Sequence, residues 1–257
     1  MLTNEEIFRI ALRQSAIDCG CQPEDFLSQA GTVTLSRADP RARKYLSLPC
    51  QLEMTSYGNC VVAQCSEAVL PVAEEYIRRY DVSHAFETPH LQALDNMLEP
   101  YGLKTCFMAE YFLPDVNLLK ALPCRYTLRV LHQPDFADLY RPEWSDALCE
   151  KRKELDVLGV GAYDGDTLVG LAGCSADCED MWQIGVNMLP GYRRQGIAAA
   201  MTSHLALEIL ARDKVPFYCA AWCNLKSVRN AIKCGFRPAW VTVSAREKEF
   251  VDEMNRG

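Results

Sequence analysis

The residues from Val186 to Ala199 read as a strand that feeds a short loop and then opens a helix, in which Ile197, Met201, Leu205 and Ile209 share one face. The first turn of any helix carries unpaired N–H donors and the positive end of the backbone dipole, so it is suited to hold phosphate. Gly196 permits close approach of the backbone, Ala198 and Ala199 keep side chains out of the way, and Arg193 and Arg194 add charge. From Pro190 to Arg237 the chain holds eight basic residues against two acidic ones, inside a protein of net charge −7. This stretch is either a solvated basic face or a local site for an anion bearing several phosphates. No G-x-x-x-x-G-K-[ST] loop is present, and no G-x-G-x-x-G opens a strand–helix–strand unit, so the two common nucleotide motifs are excluded.

The other residues with chemical potential point to packing. The 13 cysteines are odd in number, and the closest pairs, Cys19/Cys21, Cys60/Cys65, Cys174/Cys178 and Cys219/Cys223, never form C-x-x-C. They are expected to be reduced core cysteines, with no disulfide framework and no metal site. Cys219 and Cys223 fall on one face of a strand, where core packing is the expected role. His84 and His90 have no evident Cys or carboxylate partner. The acidic balance argues against nucleic acid as a partner. No apolar run approaches the ~20 residues of a membrane helix. The acidic N-terminus lacks the pattern of an export signal, so the expected location is cytoplasmic.

The elements that must position the loop follow from periodicity. Residues 4–17 are predicted helical, with Thr3 or Asn4 as N-cap. Residues 51–57 and 60–63 form a hairpin around Gly58-Asn59, 66–80 and 89–100 are helices, and 104–113 is a strand. The stretch Pro114–Pro123 reads as a boundary. Beyond it come strand 126–131, helical segments 135–140 and 144–155, and strands 157–163 and 167–175 around an Asp-Gly turn. Strand 181–189, helix 196–212, strand 215–222, helix 225–233 and a last strand 240–245 complete the order. The fold class is α/β (α+β).

Arg193-x-x-Gly196-x-Ala198 resembles the Q/R-x-x-G-x-G/A signature of the GNAT superfamily of N-acetyltransferases. Asn224-x-x-Ser227, followed at the family's distance by Gly235-Phe236, resembles its N-x-x-S…G-F segment. The resemblance covers roughly Arg125 to Arg246. It implies a mixed, mostly antiparallel central sheet flanked by helices over residues 125–257. A smaller α/β N-terminal domain, residues 1–120, precedes it; this is either of unknown role or a degenerate copy of the same fold. The cosubstrate implied is acetyl-CoA, without metal. Its diphosphate would lie on the backbone N–H groups of Arg194, Gln195, Gly196, Ile197, Ala198 and Ala199, with Arg193 shaping the turn. Val186 and Met188 would pair with the pantetheine arm, and an N–H there could polarise the thioester carbonyl. Asn224 and Ser227 would touch the coenzyme further on, and Lys226, Arg229 and Lys233 could reach its adenosine phosphates.

The sequence departs from the family at both proton-transfer positions. Ala231 stands where many relatives carry the general-acid Tyr, and nothing from Met181 to Leu189 is acidic. Tyr218 and Glu150 are the candidate replacements, with Asp177, Glu179 and Asp180 nearby, while Tyr140, Trp144 and Trp182 either line an acceptor site or belong to the core. The reading that follows is an N-acetyltransferase that moves acetyl to a primary amine on a small molecule or peptide. It would act as a monomer or homodimer, without nucleic acid or membrane. The alternative is an acyl-CoA-binding module that has lost catalysis.

Overall fold

Thr3 starts the first helix. Its hydroxyl accepts the Glu6 N–H at 3.2 Å, and Glu6 Oε2 accepts the Thr3 N–H at 2.8 Å, a reciprocal capping box. The computed structural model describes residues 2–256. Their elements run α1 (Asn4–Cys19), β1 (Thr32–Leu35), β2 (Leu52–Ser56), β3 (Val62–Cys65), α2 (Leu70–Arg79), α3 (Thr88–Leu98), β4 (Leu103–Pro114), β5 (Thr127–His132), β6 (Asp156–Asp164), β7 (Thr167–Ser175), β8 (Met181–Met188), α4 (Ile197–Leu210), β9 (Val215–Ala221), α5 (Leu225–Lys233), β10 (Phe236–Glu247) and α6 (Lys248–Met254).

The chain divides into two compact units, and neither is one continuous stretch. One comprises residues 1–10 and 111–238, the other residues 11–110 and 239–257. The division differs from a linear one at residues 120–125: it falls inside α1, β4 and β10, because each of these elements continues from one unit into the other.

In the unit built on residues 111–238, the strand order β9-β8-β7-β6-β5 is antiparallel except where β8 and β9 run parallel. Helix α4 packs on β6, β7, β8 and β9. It buries Ile197, Met201, Leu205 and Ile209, the face expected from the sequence, and Ala200 and Ala206 as well. Opposite lies a segment the sequence presents as helical but which forms only 3-10 turns, at Gln133–Phe136, Pro142–Trp144 and Glu150–Leu155. Pro134 and Pro142 each open a turn and withhold an N–H. Arg152 takes a non-helical φ of −142°. Asp156 draws the Cys149 N–H out of any helical ladder at 2.8 Å. The segment is held by its apolar side chains: Phe136, Trp144, Ala147 and Leu148 cluster with Leu131 and Leu171. Burying a side chain such as Phe136 contributes about 2–3 kcal/mol.

In the other unit, the order β1-β3-β2-β10 contains the expected hairpin, with Leu52 opposite Cys65 and Thr55 opposite Val62. The short β1 and helix α6 were not legible in the pattern. Strand β10, expected over 240–245, runs from Phe236 to Glu247, and its residues Val241–Ala245 pair along β2. Tyr76, Leu94, Leu98 and Met54 centre the core. A buried ion pair joins Asp18 to Arg43, whose guanidinium also stacks 5.2 Å from the Trp240 ring. The histidines do have carboxylate neighbours, contrary to the sequence reading. Asp81 lies 2.9 Å from His84 and Glu87 lies 3.5 Å from His90, each three residues back along a turn. Cys19, Cys60, Cys65, Cys174, Cys178 and Cys234 are buried and outside any disulfide, whereas Cys223 is exposed beyond the end of β9 and shares no strand face with Cys219.

Candidate active site

Strand β8 pairs with β7 from Gln183 to Met188, but its parallel pairing with β9 stops at Ile184 opposite Tyr218. Leu189 N–H donates to Val169 O at 3.0 Å. Backbone groups alternate sides along a strand, so Asn187 and Gly185 face β7, and Val186 and Met188 turn theirs to the edge that β9 has left. Arg193 Nε donates to Met188 O at 3.2 Å, which ties the loop to that edge.

The loop is built from two left-handed residues. Arg194 has φ 64° and Gly196 has φ 80°. Glycine adopts this region freely, but an arginine there is strained and marks a position whose geometry matters. Helix α4 begins at Ile197 with no side-chain cap. Among the described residues no backbone carbonyl accepts from the N–H groups between Arg194 and Ala199; the first bond back is Ala200 N–H to Gly196 O at 3.0 Å. Six consecutive donors are therefore left without a backbone acceptor at one turn, an arrangement suited to phosphate oxygens. A Cβ placed on Gly196 would lie 3.5 Å from Lys233 Nζ, so an ammonium group stands beside the same turn. Behind it, Gln195 Oε1 accepts from Arg125 and Tyr126, each at 3.4 Å. Tyr192 donates to Asp164 at 3.0 Å, and that bond raises the Tyr192 pKa. These residues fit a diphosphate-bearing coenzyme.

Asn224 and Ser227 open α5. Asn224 Oδ1 accepts the Ser227 N–H at 3.2 Å as the N-cap, so part of that motif's work is structural. Ser227 Oγ lies 2.8 Å from Tyr218 Oη. Tyr218 is 2% exposed, at the last position where β9 pairs with β8. Burial raises its pKa, so the phenol keeps its proton at neutral pH. Ala231 is also buried. Glu150, the other candidate, is exposed and pairs with Lys153 at 3.6 Å. The two candidates are not brought together. Cys219 accepts from Gln183 Nε2 at 2.9 Å, and burial raises its pKa, so it is not a ready thiolate.

Sequence reasoning missed the opposite side of β8. A Cβ on Gly185 would fall 1.8 Å from Asp146 O, and one on Gly173 would fall 2.2 Å from Ala147 O. The backbone of the 3-10 segment thus lies flat on two glycines. Asn187 grips it: Oδ1 accepts the N–H groups of Asp146 and Ala147, and Nδ2 donates to Asp146 Oδ2, all at 2.8 Å. An isolated glycine within a strand pattern was the one signal of such an approach. Further along, Asp156 is 1% exposed and accepts from the Cys149 N–H; burial pushes its pKa up to about 6. Asp177 is fully buried, with Arg152 Nη2 at 3.5 Å. Trp144 is 4% exposed and belongs to the core, while Trp182 is half-buried on β8.

Among the described residues no group of three His, Cys, Asp or Glu could hold a metal ion, and no helix is long and apolar enough to cross a membrane.

No curated protein matches the sequence. Among solved structures, a GNAT-family protein from Novosphingobium aromaticivorans is 16% identical, with a TM-score of 0.46 over 56% of this chain and 66% of its own. A GCN5-related N-acetyltransferase-like protein from Streptococcus suis is 22% identical, with a TM-score of 0.45 over 60% of this chain and 68% of its own. The yncA protein of Salmonella typhimurium, solved with its cofactor acetyl-CoA, is 15% identical, with a TM-score of 0.37 over 49% of this chain and 95% of its own. The chain thus spans about two thirds of the length of the first two. The GNAT acetyltransferase family model matches residues 62–240, starting well upstream of the Arg125 limit that the sequence motifs reached. By that match the chain belongs to the GNAT acetyltransferase family.

Proposed function

We propose that this protein transfers the acetyl group of acetyl-CoA directly to a primary amine. The observation that carries the reading is the turn at the start of α4, with six free N–H donors and Lys233 Nζ, next to the open edge of β8. When bound, the coenzyme supplies an activated acetyl group. The N–H groups of Arg194 to Ala199 hold its diphosphate, and Val186 and Met188 take its arm along the strand edge, where an N–H polarises the thioester carbonyl. As the C–N bond replaces the C–S bond, the acceptor nitrogen releases its surplus protons to water and Tyr218 donates the proton that the departing sulfur needs, supported by its retained proton and its place where β8 and β9 part. Most of the rate then comes from holding amine and thioester in line. The acceptor is a small-molecule or peptide amine, and the expected location remains the cytoplasm.

A second reading, coenzyme binding without turnover, is favoured by Ala231 and by the absence of an acid from Met181 to Leu189.

Calorimetric titration with acetyl-CoA tests the first step. Gly196→Glu places a carboxylate at the anion site and should weaken binding at least ~100-fold, whereas Gly196→Ala adds only backbone strain of about 1–2 kcal/mol. No binding by folded wild type sinks both readings. Binding without release of free CoA across a panel of primary amines favours the second.

A further inference from the structure

Strand β8 carries no acid from Met181 to Met188, yet one is laid upon it. Gly185 is the first residue of β8 beyond its last pairing with β9, and the Asp146 backbone lies directly over it. Asn187, two residues on and therefore on the same face, holds Asp146 by two hydrogen bonds and Ala147 by a third, all of 2.8 Å. Val186, between them, has its N–H on the open edge. The Asp146 carboxylate is thereby held over the stretch of β8 that faces the proposed thioester.

Two of those three bonds, from the Asp146 and Ala147 N–H groups to Asn187 Oδ1, already fasten the segment. The carboxylate itself is engaged only through Oδ2. It is exposed, and among the described residues no hydrogen bond or ion pair reaches its Oδ1. Three other acids near this segment are committed elsewhere. Asp156 is buried and holds Cys149, Asp177 lies buried beside Arg152, and Glu150 points to Lys153. A fixed anion with one open oxygen at a sheet edge takes a cationic hydrogen-bond donor, and a primary ammonium offers three.

We propose that Asp146 is the acceptor subsite, holding a protonated primary amine by its ammonium group beside the open edge of β8; this rests on the acetyl-transfer reading. The class implied is an alkyl ammonium, in preference to an aryl amine or an alcohol.

The test uses the full chain, with CoA binding checked separately by calorimetry, and n-butylammonium as the probe. Carbon-13 NMR follows the aspartate carboxylates, with the Asp146 signal assigned in the wild-type chain by through-bond correlation to its own backbone. The expected result is a saturable shift of the Asp146 signal with n-butylammonium, absent with 1-pentanol. In Asp146→Asn, the amide shifts of Val186 and Asn187 should report probe binding weakened at least about fivefold. An Asp146 signal that stays still, or moves equally with 1-pentanol or sodium chloride, overturns the subsite. The carboxylate is read in the wild type, so this holds even if the variant folds poorly. Loss of CoA binding alone strikes the acetyl-transfer reading and leaves the amine titration free to decide Asp146.

Discussion

The two sides of β8 are built on opposite principles. On one side, the loop from Arg193 to Ala199 uses contiguous residues and its own backbone: two left-handed residues, one helix start and an ammonium group beside it. On the other, the segment from Gln133 to Leu155 makes almost no regular structure and is held by what it lies on: Gly173, Gly185 and the Asn187 side chain. A site made of local geometry tolerates changes around it and is sensitive within. A site made by docking irregular chain on a sheet fails when the sheet surface changes.

That contrast can be broken first at its strongest point. Gly185→Ala puts a Cβ into the Asp146 carbonyl, where only backbone movement can relieve it, and should cost about 3 kcal/mol in urea unfolding. Gly191→Ala in the loop, with nothing within 4 Å, should cost less than about 0.5 kcal/mol. Equal costs would erase the distinction.

The next effect is a pH dependence confined to the docked side. Asp156 has a folded pKa raised to about 6, above its unfolded value of roughly 3.9, so the folded state binds the extra proton between these limits. Its contribution to stability is therefore greatest below about pH 4 and declines as pH rises to about 6. Asp156→Asn should reduce that decline by on the order of 2 kcal/mol when urea midpoints are compared from pH 4 to 7, leaving the part due to Glu53, whose pKa burial raises to about 7. A parallel pair of pH curves would show that Asp156 is not the group responsible.

On the loop side, Arg194→Gly relieves the left-handed strain and should raise stability by about 0.5 kcal/mol, while acetyl-CoA binding weakens through loss of charge and order. A loss of stability would show that the arginine side chain anchors the loop. The smallest effect is expected for Glu150→Gln, since its pairing with Lys153 is exposed. Melting should shift by an amount equivalent to less than about 0.5 kcal/mol, and a large loss of activity in this variant would restore Glu150 as a catalytic group.

How far the sequence could be read follows the same division. Strand β7, helix α5 and the helical face of α4 were legible because each carries its own period and turn signals. The 3-10 segment carries apolar residues in a nearly helical pattern, so periodicity suggested helices that Pro134, Pro142 and Arg152 deny. The fourteen-residue stretch from Val186 to Ala199 could be assigned a role because phosphate recognition by a helix start needs only neighbours in the chain.

The sequence by itself determined the glycine-bearing turn that opens α4, the order of elements around it and the family resemblance, since these depend on short-range spacing. Only the tertiary structure decided that Tyr218 meets Ser227, that each unit is made of two separate stretches of chain, and that Asp146 rests on Gly185 in the grip of Asn187. Asp146 and Asn187 are 41 residues apart in the chain. Contacts across such a separation are set by which surfaces pack, and a glycine in a strand announces that something approaches without saying what.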